Sequence, residues 1–125
     1  MLQPAPNPIV RVSILRCRKE DFPRLRQMMQ EAEASLRPGI LAMDGLLGYW
    51  AGEDAAAVTL SNVSLWQTLA HAQQMDRFQP MLDLAVSFRE AGATFERPIM
   101  NYATLWSFGQ FATPVPRPAA TPSGE

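Results

Sequence analysis

Between Ile9 and Trp106 the apolar residues switch period from two to about 3.6 and back, twice over. That alternation confines the chain to a small set of mixed α+β architectures. Ile9 to Cys17 (IVRVSILRC) is β-branched and alternating, with Val10, Val12 and Ile14 on one side, which predicts a strand. Phe22, Leu25, Met29, Ala32 and Leu36 then recur at three- and four-residue steps, one stripe of a helix. Glu20 and Asp21 suit its positive N-terminus, and Pro23 fits a first turn whose N–H groups lack partners anyway. Arg37-Pro38-Gly39 is expected to end it.

Two extended runs follow, Gly45 to Ala51 (GLLGYWA) and Ala56 to Val63 (AAVTLSNV), and Gly52-Glu53-Asp54 between them reads as a tight turn. Ser64 and Gln67 have capping-box spacing, so a second helix is expected from Leu65 to about Gln74. Phe78, Met81, Leu82, Ala85 and Phe88 form one face of a further helical piece. Pro80 is tolerable there only in a first turn, so a break is expected near Asp76. Gly92 is placed to close that piece in the left-handed conformation. Ile99 to Trp106 (IMNYATLW) is a last strand with Pro98 at its mouth. The order is β-α-β-β-α-β, the ferredoxin-like pattern: an α+β fold with a four-stranded antiparallel sheet and two helices on one face.

The 125 residues suit one domain with one core. Prolines crowd both ends, which divides the chain into an extended arm over 1–8, a folded unit over 9–111 and a Pro-rich flexible tail over 112–125. A net charge of −1 provides no basic footprint for nucleic acid and no attraction to an anionic membrane. Cys17 is the only cysteine, so an intrachain disulfide and a thiolate metal cluster are both excluded. A lone thiol fits a reducing compartment, and the first residues lack a basic start followed by an apolar stretch. A cytoplasmic location is the expectation.

The strands carry apolar groups on both faces. Alternation sets Leu46 and Trp50 against Leu47 and Tyr49, and Ile99 and Leu105 against Met100, Tyr102 and Trp106. Two helices cover one face only, and an uncovered apolar face is a partner surface. A twofold homodimer through the open sheet face is therefore expected.

The hairpin, the Asn62-Val63-Ser64-Leu65-Trp66 junction and the closing Glu96-Arg97-Pro98-Ile99-Met100-Asn101-Tyr102 run together resemble the antibiotic biosynthesis monooxygenase-like family of dimeric α+β barrels. The resemblance spans about Ile9 to Trp106. It implies cofactor-independent oxygenation of a small aromatic, phenolic substrate, with Asn62 and Trp66 as catalytic residues that bind the substrate and stabilise its anion. An amide and an indole N–H are both suited to developing negative charge on oxygen. The tyrosine that the family's oxygenases carry on the next helix turn is missing, and Ala72 stands six residues past Trp66.

His71, Phe78, Trp50 and Tyr102 are candidate substrate-binding residues, the aromatic groups lining a pocket for a flat ligand between sheet and helices. Each also has a plainer reading. Trp66 suits a core plug, the aromatics suit core and interface, and a lone histidine without acidic or thiol partners makes a poor metal site. No metal and no cofactor are expected. Arg77, Arg89 and Arg97 are further candidates for holding a substrate oxyanion. Two other functions fit the same residues: a non-catalytic dimeric module that binds a ligand or regulates, and an isomerase or lyase using His71 as base.

Overall fold

The structure is a computed structural model that describes residues 7–109. The arm before Asn7 and the Pro-rich tail from residue 110 lie outside the described residues. Strand β1 (Ile9–Arg16) has partners along both edges and so forms the centre of the sheet. Strand β3 (Thr59–Trp66) pairs one edge over its whole length, from Ile9 opposite Trp66 to Arg16 opposite Thr59. The hairpin partner β2 (Leu46–Asp54) lies outside β3. The other edge of β1 is shared by two short pieces, β4 (Thr94–Phe95) beside Leu15 and Arg16, and β5 (Met100–Ala103) beside Ile9 to Val12. All pairings are antiparallel.

The expected element order holds, with two elements divided. The last strand is interrupted at Arg97-Pro98, where proline offers no ladder donor. It also stops at Ala103 rather than Trp106: Thr104 still donates to the Pro8 carbonyl (2.9 Å), but Pro8 has no N–H to return a bond. The sheet therefore counts five strands, in four positions. The second helix is likewise two pieces, α2 (Leu69–Ala72) and α3 (Gln79–Glu90), joined by a 3-10 turn over Gln73–Arg77. Pro80 occupies the first turn of α3, as its missing N–H requires. Gly92, with φ of 107°, closes α3: its N–H reaches the Arg89 carbonyl (3.0 Å), and the Ala93 N–H reaches Phe88 (2.9 Å). This is the paired bonding of a Schellman cap.

Three expectations about boundaries are corrected. Helix α1 (Phe22–Leu41) runs through Pro38 and Gly39 instead of ending there. Ile40 is buried with Leu36, Leu46 and Trp66, so the last turn gains core contact that outweighs the lost backbone bond. Gly39 matters for a second reason: a β-carbon there would stand 2.5 Å from the Phe78 ring, so its absence lets the start of α3 approach α1. The hairpin turn falls at residues 55–58, not at Gly52 to Asp54. Asp54 closes it by accepting from the Ala57 N–H (3.1 Å), and Gly52 lies within β2 opposite Ser61. Finally, Ser64 and Trp66 belong to β3. The N-cap of the next helix is Thr68, whose hydroxyl accepts from the His71 N–H (3.1 Å).

A bulge in β2 decides which side chains face the helices. Leu46 lies opposite Trp66 and Gly48 opposite Leu65, so two residues of β2 span one of β3. Beyond it Tyr49 points inward and Trp50 outward. The core lies between helices and sheet in two clusters: Ile9, Ala32, Leu36, Ile40, Leu46 and Trp66 with Ala72 and Met75 at one end, and Leu15, Leu25, Leu60, Phe88 and Ala93 at the other.

Candidate active site

The register lays out the helix-facing side of the sheet in rows. Leu46, Trp66, Ile9 and Ala103 form an apolar row at one end, and Leu60, Leu15 and Phe95 belong to another at the far end. Between them run two polar rows. Tyr49, Ser64, Arg11 and Asn101 cross β2, β3, β1 and β5 in one line, and Ala51, Asn62 and Ser13 form the next. Polar groups so placed in an interior cost free energy unless each is paired or meets a ligand.

Their partners can be followed one by one. Arg11, only 7% exposed at its side chain, forms an ion pair with Asp76 from the 3-10 turn (2.8 Å). Ser64 accepts the indole N–H of Trp66 (2.8 Å). Two atoms, at opposite ends of the same row, have no partner among the described residues: the Tyr49 hydroxyl and the Asn101 side-chain oxygen. Burial pushes the Tyr49 phenol up to about 12, opposed by the nearby Arg11 charge, so it is a donor at neutral pH.

Space opens above these rows. A cavity of about 250 Å³ is walled by Arg11, Ser13, Tyr49, Asn62 and Ser64 from the sheet, by Asp76, Met81, Leu82, Ala85 and Phe88, and by Phe95, Arg97 and Ile99. A wider recess of about 720 Å³ opens between α1 and the hairpin, over Leu36, Ile40, Leu46 and Leu60, with Arg26, Glu33, Arg37 and Glu53 at its rim. Arg26 and Glu53 bridge from helix to hairpin (2.6 Å). Tyr49 and Asn62 line both spaces and form the wall they share. Arg97 lies over the Phe95 ring at 5.0 Å, and its guanidinium pKa is lowered by desolvation and by the Arg89 and Arg11 charges.

The residues singled out from the sequence are thus dispersed. Asn62 sits in mid-strand, not at a strand end, and its side faces the smaller cavity. Trp66 is fully buried and lines neither space, and its N–H is engaged by Ser64. His71 packs against Gly45, with its Nδ1 3.0 Å from the Thr68 hydroxyl. It is not on one helix with Trp66, since Trp66 ends a strand. Phe78 packs on the core beside Gly39 and lines neither space. Trp50 and Tyr102, expected between sheet and helices, are on the opposite face, 46% and 52% exposed, because the bulge shifts the parity of β2 and Tyr102 is paired with Val10.

Sequence reasoning missed Arg11 and undervalued Tyr49. A signal for Arg11 was present: Arg11 and Ser13 interrupt the Ile9–Leu15 face, a polar centre between apolar ends. Among the described residues no group of three or more His, Cys, Asp or Glu side chains could hold a metal ion, and no helix is long and apolar enough to cross a membrane.

No protein-family model matches the chain, and no curated protein matches its sequence. Solved structures do. A Deinococcus radiodurans protein with the provisional name antibiotic biosynthesis monooxygenase superposes with a TM-score of 0.63 at 16% identity, over 82% of this chain and 97% of that one. A Nitrosomonas europaea protein of the same provisional name reaches 0.63 at 10% identity, over 86% and 100%. A Mycobacterium tuberculosis protein reaches 0.60 at 17% identity, over 82% and 99%. At such identity the likeness concerns architecture. The chain has the ferredoxin-like α+β fold shared by proteins named for antibiotic biosynthesis monooxygenases.

Proposed function

We propose that the protein is a cofactor-independent monooxygenase-like enzyme that oxidises a small phenolic substrate in the cavity over Asn62. One observation carries this reading: a polar band of Tyr49, Asn62, Ser64, Arg11 and Ser13 lies beneath a chamber whose other walls are mostly apolar and include Asp76 and Arg97. Its volume, about 250 Å³, is just below the usual ~300 Å³ lower bound for ligand pockets, which suits a small ring system. Apolar walls from Met81, Leu82 and Phe88 would face the ring, while the Asn62 amide and the Arg97 guanidinium would favour the anion over the neutral phenol. An electron-rich phenolate can pass an electron to oxygen directly. When a ring methylene becomes a carbonyl and the second oxygen atom leaves as water, the substrate supplies every electron. Trp66 acts at one remove, by fixing Ser64 in the floor.

Incubation with anthrone- and hydroquinone-type phenols under oxygen is expected to yield quinones, followed by absorbance and oxygen uptake. Asn62→Ala should slow turnover on the order of a hundredfold, the usual cost of removing one oxyanion donor. No quinone from any member of a broad panel would leave the second reading, a binding or regulatory module using the same chamber, which Ala72 in place of the oxygenases' tyrosine favours.

Self-association completes the proposal. On the rear of the sheet Trp50, Val63, Val12 and Met100 form one row across four strands, and Leu65, Val10 and Tyr102 lie in the next. Trp50, Met100 and Tyr102 are about half exposed, and an apolar surface of that kind is suited to a copy of itself across a twofold axis. Light scattering at micromolar concentration should report twice 13.9 kDa, and Trp50→Glu should return the mass to 13.9 kDa. A 13.9 kDa species for the unaltered protein would contradict the dimer.

A further inference from the structure

Tyr49 lines both spaces, and its hydroxyl is buried and unpartnered. An isolated domain gains nothing from such a group. Phenylalanine would fill the same volume and spare the loss of solvation of a hydroxyl that bonds nothing. Neighbouring polar atoms do not take it up: Ser64, directly opposite on β3, already accepts from Trp66, and Arg11 is held by Asp76. The hydroxyl is therefore left without a partner among the described residues, and a ligand oxygen that reaches it would satisfy it. Asn62 is the diagonal neighbour of Tyr49 on the same face, since its opposite residue on β2 is Ala51, two positions along.

We propose that Tyr49 is a positioning residue of the site, donating a hydrogen bond to an acceptor oxygen of the ligand where the smaller cavity meets the outer recess. This rests on the phenolic reading above and adds to it the feature recognised: an anionic or carbonyl oxygen held from β2, opposite the arginine-bearing side of the chamber. A donor that stays protonated throughout the neutral range selects acceptors at any working pH.

The test uses the full chain and para-nitrophenol, whose phenolate and phenol absorb differently. Unaltered protein should bind the phenolate form preferentially, seen as a fall in the probe's apparent pKa on titration with protein. Tyr49→Phe should keep or raise the melting temperature, because it removes an unsatisfied group, and should weaken phenolate binding about tenfold. It should also reduce the probe's pKa shift, leaving the part that Asn62 and Arg97 hold, whereas a purely structural role would leave the whole shift intact. Equal phenolate affinity in both proteins would overturn the role of Tyr49 while phenol binding stands. Absence of binding to the unaltered protein would overturn both.

Discussion

Trp66→Ala is expected to destabilise the fold by about 3–5 kcal/mol, the range for emptying a fully buried aromatic site. The indole is completely enclosed, packed in one cluster with Ile9, Ala32, Leu36, Ile40 and Leu46. Around it meet the first strand, the end of α1 and the turn into α2, so little can collapse into the space left behind. The substitution also takes from Ser64 the donor it bonds at 2.8 Å, leaving a buried hydroxyl to find another partner. Urea denaturation should show a lower midpoint with little change in slope. Trp66→Phe retains most of the volume and should lose distinctly less. A loss below about 1 kcal/mol for the alanine variant would show that this residue is peripheral to the core after all.

The second large effect concerns the ion pair beneath the chamber. Arg11 is almost wholly buried whereas Asp76 is 53% exposed, so the two ends of the pair are unequal. Asp76→Ala leaves a guanidinium in the interior with its only described acceptor gone, and should cost roughly 2–4 kcal/mol, somewhat under the 3–5 typical of a fully buried pair. Arg11→Met with Asp76→Ala should recover most of that loss, since an apolar side chain of similar length fills the same site without a charge. Comparing the single and double variants by denaturation isolates the coupling. If Asp76→Ala proves neutral, water must be reaching Arg11, and the chamber is wetter than its walls imply. In the recovered double variant the phenolate preference should change little, because the charges of the pair are removed together.

Periodicity alone made the element order legible. Runs such as Leu25, Ala32 and Leu36 carry their own burial pattern, and those residues are the buried stripe of α1. Proline and glycine at the ends of α3 were equally readable, because their effects are local. Boundaries failed where tertiary contact overrode local preference. The burial of Ile40 carried α1 past Pro38, and pairing with β1 kept Ser64 and Trp66 extended although their spacing suits a helix start. The site was less legible still. Asn62, which the family resemblance singled out, lines the chamber, but Trp50 and Tyr102, expected between sheet and helices, lie on the other side of the sheet. Their orientation depends on strand register, which no window of residues along one strand reveals. Arg11 escaped notice because its partner is 65 residues away.

The extra residue near the start of β2 has an outcome larger than its size. It is the local irregularity that sends the phenol at position 49 indoors and the indole at position 50 out of doors. Paired residue for residue from Leu46 onward, the strand would set Gly48 opposite Ser64 and Trp50 opposite Asn62, and these two rings would exchange sides. Excising Leu47 would remove the kink and leave the later pairings as they are, so a single inserted residue sets both the chamber and the oily back of the molecule.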